Sequence, residues 1–168
     1  AGGQCWVGVN TSLPNKIVRL AIEAGFLKDY LGKISDIRPE VVYGINKGSR
    51  IDLLLTAENS SCDSQLIYLE VKNTTWVDGS TALFPDTVTQ RGQKHLKELM
   101  GVLPQARALL VPCLSRNDVK SFSPGDLADP EYGVLFRKAL NAGVEVVPCC
   151  FGFHLDHITW EGTRKVIA

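Results

Sequence analysis

This chain of 168 residues lacks several features that would place it in a protein class directly. It has no excess of charge of one sign, since 18 Lys and Arg residues balance 18 Asp and Glu residues, so any nucleic-acid surface must be a local patch. It has no apolar run of the roughly 18–20 residues that a membrane-spanning helix requires. No basic and hydrophobic leader precedes Cys5, so no signal peptide is expected. We therefore predict no membrane partner, and the cysteine pattern described next favours an intracellular protein, with the cytoplasm as its expected compartment.

The cysteines follow no disulfide or zinc pattern. The chain contains five of them, which are Cys5, Cys62, Cys113, Cys149 and Cys150. Their odd number and irregular spacing predict reduced thiols, most of them buried. The pair at 149–150 precedes His154 and His157, but adjacent cysteines at this short spacing do not match a usual zinc site. Segment 44–48 lacks the Lys-Ser/Thr pair of a phosphate-binding loop, and no serine lies in a nucleophile-elbow pattern.

Helix and strand signals alternate along the chain. Helices are predicted over 14–24, 86–100 and 130–142. Strands are predicted over 5–9, 38–43, 49–56, 66–73, 107–114 and 144–149, with an edge strand near 158–160, and loops over 58–64 and 78–85. The three strands between 38 and 73 are predicted to form an antiparallel meander. This order predicts one α/β domain over residues 1–168, with a mixed sheet and helices on both faces.

Two of the predicted strands carry charged residues at every second position. Side chains of a strand alternate between the two faces of its sheet. Arg50 therefore shares a face with Asp52, and Glu70 shares one with Lys72. The apolar residues between them are predicted to face the other side: Ile51, Leu53, Leu55, Ile67, Leu69 and Val71. Two carboxylates and a lysine on neighbouring strands can hold a divalent metal and an attacking water. A solvated strand face with cross-strand ion pairs is the alternative interpretation.

The predicted carboxylate pair needs a positive partner. At a separation of about 5 Å and an effective dielectric near 20, two unit charges repel by roughly 3 kcal/mol. Mg²⁺, or Mn²⁺ in its place, suits Asp52 and Glu70 because it prefers carboxylate oxygens and keeps several waters. The backbone carbonyl of Val71 is a candidate third ligand. Lys72 is a candidate for orienting the metal-bound water or for stabilising the transition state of phosphodiester hydrolysis.

The same residues resemble a known nuclease motif. Asp52 followed by Glu70-Val71-Lys72 is similar to the D…(E/D)-x-K signature of the PD-(D/E)XK nuclease superfamily, with Ile51 in place of the name-giving proline. Longer strings are more specific. They are Gly8-Val-Asn-Thr11, Leu13-Pro-Asn15, Ser49-Arg-Ile-Asp52, Glu70-Val-Lys-Asn73, Phe84-Pro-Asp86, Val88-Thr89, Arg91-Gly92 and Lys94-His95-Leu96. In this order, from about residue 7 to about residue 147, they resemble the sugar fermentation stimulation protein (SfsA) family.

The resemblance implies a restriction-endonuclease-like fold, a DNA-binding role and a metal site at Asp52, Glu70 and Lys72. Members of the family usually begin with a small OB-like barrel. This chain resembles only the nuclease-like part, so we expect either that the barrel was removed or that the chain is a shortened relative.

The second predicted helix combines an apolar stripe with a polar face. The stripe is predicted to contain Val88, Gly92, Leu96 and Leu99 or Leu103. The polar face is predicted to contain Thr87, Arg91, Lys94, His95 and Glu98. The resemblance favours Arg91 and Lys94 as phosphate contacts, and His95 as a DNA contact or a proton shuttle. A solvated face with ion pairs to Glu98 is the alternative. Arg50 completes the predicted DNA-binding set.

Other polar residues allow two interpretations each. Glu40 is a candidate additional metal ligand, and Glu23 on the first helix competes for that role. Each also fits a plain surface carboxylate, since Glu is rarely buried. Asn10, Thr11 and Asn15 are predicted to be turn and cap residues, for which their side chains are suited.

Three functions remain open on the sequence. The first is a metal-dependent deoxyribonuclease, with DNA favoured over RNA. The second is a non-catalytic DNA-binding regulatory protein of the sugar fermentation stimulation type, because regulation requires binding alone. The third is an interaction protein with an unrelated partner, which zero net charge permits. The sequence leaves the oligomeric state open.

Overall fold

The structure, a computed structural model, describes residues 5–44, 48–58 and 64–168. Its helices are α1 (Leu13–Glu23), α2 (Lys28–Leu31), α3 (Gln90–Gly101) and α4 (Pro130–Ala142). Its strands are β1 (Lys33–Tyr43), β2 (Ser49–Glu58), β3 (Ser64–Thr74), β4 (Trp76–Asp78), β5 (Thr81–Phe84), β6 (Arg107–Leu114), β7 (Ser121–Pro124), β8 (Glu145–Val146), β9 (Cys149–Phe153), β10 (Ile158–Thr163) and β11 (Lys165–Val166). None of the helices in these ranges is long and apolar enough to cross a membrane.

A seven-stranded mixed sheet forms the centre of the fold. Its strands lie in the order β1-β2-β3-β6-β9-β10, and β8 also pairs with β6. The first three strands pair antiparallel, which confirms the predicted meander. β3 then pairs in parallel with β6, and β10 forms the edge strand that was predicted near 158–160. All of β6 after Arg107 is buried, as its near-continuous apolar sequence predicts for a strand covered on both faces.

Helices cover both faces of this sheet, as predicted. On one face, α1 and α2 pack through Val18 and Leu31 against a cluster that includes Leu53 and Leu69. On the other face, α3 and α4 pack in a second cluster around Phe136. The sheet therefore separates two apolar cores, and polar side chains from its strands meet the helices only where these cores end.

A second sheet was not predicted from the sequence. It has four strands in the order β11-β7-β5-β4 and packs in the same cluster as α3 and α4, through Ala82 and Phe122. The prediction of an irregular loop over 78–85 is therefore wrong. β4 and β5 form an antiparallel hairpin there, with Gly79 in the turn at φ +56°.

The helix ends follow side-chain caps. α3 begins at Gln90 rather than at residue 86, because Thr89 accepts a 3.0 Å hydrogen bond from the backbone N–H of Gly92 and caps the helix there. α4 has the predicted bounds. Asp129 caps it by accepting from the N–H of Tyr132, and Gly143 ends it at φ +106°.

Three strand and loop predictions need correction or lie outside the described residues. The predicted strand over 5–9 is reduced to a single bridge between Trp6 and Phe153. The predicted strand over 144–149 is divided into β8 and β9, with Pro148 between them. The loop predicted over 58–64 and the turn at 44–48 fall largely on residues outside the described part of the chain. Of the cysteines, the four that are described are free thiols, and three of these are buried.

Candidate active site

Asp52 lies at the point where β2 and β3 separate. The ladder between these strands ends at the pair Leu53 and Leu69. One residue further on, Oδ2 of Asp52 accepts a 2.8 Å hydrogen bond from the backbone N–H of Val71. The carboxylate thereby satisfies a backbone donor that β2 no longer reaches, and it is held beside β3 at the residue that follows Glu70.

The face alternation of β2 changes at Asp52. Ile51 packs with Tyr43 in the cluster of α3 and α4, whereas Leu53 packs in the cluster of α1. The prediction that Ile51 shares a face with Leu53 is therefore wrong. The change lies opposite Glu40, whose φ of +55° is unusual for a residue with a side chain. The positive φ of Glu40 therefore marks a departure from regular strand geometry beside the switch of faces.

Glu70, Lys72 and His95 form a compact polar cluster, called here the Glu70 cluster. Nζ of Lys72 lies 2.7 Å from Oε1 of Glu70, so the two side chains share one face of β3 as predicted. Nδ1 of His95, on α3, contacts the same Oε1 and lies 2.9 Å from Nζ of Lys72. Glu70 is 2% exposed and His95 is 5% exposed. The prediction that His95 lies on the polar face of its helix is therefore wrong.

The pKa values of Glu70 and Asp52 are shifted in opposite directions. Burial would raise the pKa of Glu70, but the hydrogen bond to His95 and the charge of Lys72 outweigh burial and leave this pKa below its usual range. The pKa of Asp52 is raised instead, first by burial and then by the negative charge of Glu70. The site therefore holds one stabilised carboxylate beside one that would gain from a positive neighbour.

Several buried polar atoms around α3 have no hydrogen-bond partner among the described residues. They are the hydroxyls of Tyr43 and Tyr132 and one oxygen each of Glu70 and Glu98. The pKa of Tyr43 is raised by burial and by the negative charges of Glu70 and Glu98, so these groups lie near one another. An unpaired buried oxygen is costly unless a water or cation meets it. Oε2 of Glu70 is therefore, with the corresponding oxygen of Glu98, a buried acceptor that has no donor among the described residues.

A groove opens over Asp52, and all four predicted DNA-binding residues line it. This Asp52 groove is lined by the charged or titratable side chains of Glu40, Arg50, Asp52, Arg91, Lys94 and His95. Arg50, Arg91 and Lys94 are exposed, and Nζ of Lys94 donates to the carbonyl of Gly48 at 3.0 Å. The three cations border the carboxylates within one concave surface, as a phosphate-binding site requires.

The structure brings most of the predicted site residues together. Asp52, Glu70, Val71 and Lys72 lie at the separation of β2 and β3. Glu40 lines the Asp52 groove and is exposed, so its role as a ligand stays a prediction. Metal binding, catalysis and DNA binding by these residues likewise stay predictions at this point.

Glu23 does not join the Asp52 groove. It forms an ion pair with Arg19 at 2.8 Å and lines a separate groove beside α2. Glu40 and Glu23 are the two candidates for an additional metal ligand beside Asp52 and Glu70. Of these two, only Glu40 lies near Asp52.

Sequence reasoning missed the role of Asn15. This residue was assigned to turns and caps, but its amide donates a 2.8 Å hydrogen bond to Oδ1 of Asp52 from within α1. Spacing carries no signal for a contact between residues 37 positions apart. The one sequence signal was the string Leu13-Pro-Asn15, which belongs to the family resemblance rather than to any local pattern.

The donor set fits a small divalent cation that keeps several waters. In the described ranges, no three His, Cys, Asp and Glu side chains are arranged as a metal site. A cation between Asp52 and Glu70 would therefore need water and a backbone carbonyl, such as that of Val71, to complete its shell. The unpaired Oε2 of Glu70 and the raised pKa of Asp52 are both relieved by such a cation.

Comparison with known proteins gives a consistent result. A family model described as the sugar fermentation stimulation protein RE domain matches residues 12–157. A sugar fermentation stimulation protein homolog of Prochlorococcus marinus (strain MIT 9313) is 69% identical over 163 residues, which cover 97% of this chain and 65% of that protein. A homolog of the same description from Synechococcus sp. (strain CC9605) is 67% identical over 165 residues, which cover 98% of this chain and 65% of that protein. The chain thus spans less than two thirds of the length of these relatives.

A solved structure has the same fold. The structure of Pyrococcus furiosus SfsA in complex with Ca²⁺ matches with a TM-score of 0.87 at 27% sequence identity. The match covers 100% of this chain and 75% of that chain. It confirms the predicted mixed α/β fold, and the family match confirms the resemblance seen in the sequence strings.

Proposed function

The chain belongs to the sugar fermentation stimulation protein (SfsA) family, and on that premise we propose that it is a DNA-binding domain that hydrolyses phosphodiester bonds with Mg²⁺. The observation that carries the proposal is the meeting of Asp52 and Glu70 at the separation of β2 and β3, with Oε2 of Glu70 buried and unpaired. Because the chain spans 65% of its relatives' length, the proposal concerns this domain and not the activity of a longer protein.

In this proposal the two carboxylates hold the cation. Asp52 offers its carboxylate at the floor of the groove, and Glu70 offers Oε2 from β3. A bound Mg²⁺, or Mn²⁺, would lower the pKa of a coordinated water and offset charge on the phosphate. The Ca²⁺ in the Pyrococcus furiosus SfsA complex supports a divalent cation in this fold.

Lys72 supplies a fixed positive charge beside the proposed cation. Its side chain is 12% exposed and is held by Glu70 and His95, so the ammonium group cannot swing freely into solvent. A cation that is fixed before the reaction stabilises developing negative charge without reorganisation. This supports Lys72 as the group that stabilises the phosphate transition state or orients the attacking water.

The cationic rim of the Asp52 groove is the proposed DNA contact. Arg50, Arg91 and Lys94 border the carboxylates and can each meet a phosphate. With the cation absent, Glu40 and Asp52 repel phosphate, so a divalent ion should also strengthen DNA binding. We propose DNA rather than RNA as the partner, on the family resemblance.

Cleavage of labelled DNA tests the proposal. Single- and double-stranded substrates are incubated with Mg²⁺ or Mn²⁺ and with wild type, Asp52→Asn or Lys72→Met. Asp36→Asn is the matched control, because it makes the same chemical change at an exposed position of β1 outside the groove. Wild type and Asp36→Asn should cleave, while Asp52→Asn and Lys72→Met should lose more than a hundredfold in rate. Equal cleavage by all four proteins would identify a contaminating nuclease and reject the proposal.

DNA binding without cleavage is the second candidate. It is favoured by the absence, within the described ranges, of three acidic or histidine side chains arranged around one metal position. Fluorescence anisotropy of the same DNA, with EDTA in place of the metal, separates the two candidates. Salt-dependent binding together with no metal-dependent cleavage would select a regulatory binding domain.

A further inference from the structure

His95 touches both charged members of the Glu70 cluster with one nitrogen. Its Nδ1 contacts Oε1 of Glu70 and lies 2.9 Å from Nζ of Lys72. The contact reaches from α3 across 25 positions of sequence to β3. The imidazole therefore links the helix that lines the groove to the strand that carries the carboxylate.

The position of His95 is fixed by the packing of α3. Asp129, which is 1% exposed, accepts hydrogen bonds from the backbone N–H of Thr89 and from the amide of Gln93. Leu96 and Leu99 are buried on the same side of the helix. Asp129 thereby fixes the start of α3, and Leu96 and Leu99 fix its later turns against the core. Because His95 lies between these anchors, its imidazole has little freedom to leave Glu70.

The two contacts to Oε1 of Glu70 determine that Oε2 is the oxygen left without a hydrogen-bond partner among the described residues. Lys72 and His95 both meet Oε1, while Oε2 is buried with no partner among the described residues. Without the imidazole, the carboxylate could rotate about its terminal torsion, since such sp³–sp² torsions are broad. The Lys72 ammonium, which donates to the same Oε1, would then be held less firmly.

We propose that His95 is a positioning residue whose Nδ1 holds Oε1 of Glu70, and with it the Lys72 ammonium that donates to the same oxygen, so that Oε2 of Glu70 faces the divalent cation. The inference rests on the proposed function, because it assigns His95 a part in the same cation site. It replaces the prediction of a direct DNA contact through this side chain. His95 touches neither the cation nor the phosphate in this assignment.

Two amide substitutions distinguish this role from general packing. The side-chain amide of Asn occupies the place of Nδ1 relative to Cβ, whereas that of Gln occupies the place of Nε2. His95→Asn should therefore preserve the hydrogen bond to Oε1 of Glu70 and, through it, the position of Lys72, and His95→Gln and His95→Ala should lose both. His157→Gln, at an exposed position in the turn before β10, is the matched control.

Two measurements are made on the full chain of each variant. Calorimetric titration with CaCl₂ measures the cation Kd. Wild type, His95→Asn and His157→Gln should agree within threefold, and His95→Gln and His95→Ala should bind at least tenfold more weakly. Mass-spectrometric labelling of lysines in EDTA measures the release of Lys72, which should be labelled at least fivefold faster in His95→Gln and His95→Ala. Circular dichroism and Tm establish that each variant is folded.

The outcomes separate the two proposals. Equal Kd values and equal labelling of Lys72 in all variants would overturn the role of His95. A normal His95→Gln with a defective His95→Asn would also overturn it, because the contact would then run through Nε2. If wild type binds no Ca²⁺ while the labelling pattern holds, the cation site fails as a proposed function and His95 remains the residue that holds Lys72.

Discussion

The side-chain amide of Asn15 on α1 donates a 2.8 Å hydrogen bond to Oδ1 of Asp52 on β2. The other oxygen of this carboxylate accepts from the backbone N–H of Val71. Each oxygen of Asp52 therefore has one protein donor, from a helix on one side and a strand on the other. Both hydrogen bonds lower the pKa of Asp52, against the larger effect of burial and the effect of Glu70. This pair of contacts sets the orientation of the carboxylate before any ligand arrives.

Removal of the Asn15 amide should weaken the fold and the site together. We expect Asn15→Ala to lower the free energy of unfolding by about 1 kcal/mol, the net contribution of one intramolecular hydrogen bond. The pKa of Asp52 should rise further in this variant. Urea unfolding at pH 7 measures the first effect, with Asn141→Ala at an exposed position of α4 as the control for helix propensity. Equal changes in the free energy of unfolding in both variants would mean that the hydrogen bond adds nothing.

Asp52→Asn should remove the stabilisation that a divalent cation gives. Ca²⁺ at 100 times its Kd should add about 2.7 kcal/mol to the free energy of unfolding of wild type. The variant lacks one of the two ligand carboxylates, so it should gain little. Thermal unfolding in EDTA and in CaCl₂ measures the gain, and Asp36→Asn should keep it. A full gain in Asp52→Asn would place the cation elsewhere.

In EDTA, Asp52→Asn should show how much the buried negative charge of Asp52 lowers the free energy of unfolding of wild type. Since burial and Glu70 raise the folded pKa above its unfolded value, this group stabilises the fold most below the unfolded pKa. That contribution is lost as the pH rises through the folded pKa. Asp52→Asn should therefore become more stable relative to wild type as the pH is raised from 3 to 7. Unfolding curves across this range in EDTA measure the difference, and a flat difference would contradict the raised pKa.

Lys94 and Lys97 provide a matched pair for DNA binding. Both lie on α3, but Lys94 lines the Asp52 groove, whereas Lys97 points toward Glu131 on α4 at 3.9 Å. If Lys94 contacts one phosphate, Lys94→Ala should reduce the slope of log K against log salt by about 0.9. Lys97→Ala should leave the slope unchanged. Anisotropy titrations at four salt concentrations provide both slopes, and identical slopes for all three proteins would exclude Lys94 from the interface.

Asp129 should give the fold an acid-sensitive contribution. Burial would raise its pKa, but hydrogen bonds from Thr89, Tyr132 and Gln93 outweigh burial and lower it. A lowered folded pKa means that the stabilisation is full above the unfolded value near 3.9 and is lost as the pH falls through the folded pKa. Asp129→Asn should therefore be about 1–2 kcal/mol less stable than wild type at pH 7, since it replaces charge-assisted hydrogen bonds with neutral ones.

The stability difference for Asp129→Asn should shrink below about pH 4, because the unfolded chain binds the proton there while the folded carboxylate keeps its charge down to its lower pKa. Urea unfolding between pH 3 and pH 7 measures it. Asp78→Asn, at an exposed position of β4, should show no such dependence. A difference that stays constant down to pH 3 would show that the charge of Asp129 does not contribute.

The parts of the fold that were predicted share a simple physical cause. β6 is buried on both faces, so its apolar run is continuous and cannot be mistaken for a half-exposed strand. α4 has an Asp cap, a first-turn Pro and a closing Gly, which together define both ends. In contrast, β4 has three residues and β5 has four, and the pairing of β5 with both β4 and β7 provides the stability that their own sequence does not signal.

The sequence predicts which strands carry the site residues, but it does not predict the contacts that these residues make with the helices. His95 was assigned to the polar face because it is polar, although it lies three residues after Gly92 and four before Leu99, within the buried stripe. Helical spacing alone would have placed it inside. The Asn15 contact and the change of face at Asp52 depend on how separate elements pack, and no local pattern in one sequence contains that information.

The parallel pairing of β3 with β6 has a consequence for how the active site forms. Ile67 pairs with Arg107, so the chain must close a loop of about 40 residues before β3 acquires its second neighbour. The pairing of β6 with β9 is likewise non-local. Pairings of high contact order form slowly. Because β3 carries Glu70 and Lys72, we expect the strand that holds them to gain its full support only late in folding, and a nascent or truncated chain that lacks β6 to carry every residue of the motif on an incomplete sheet.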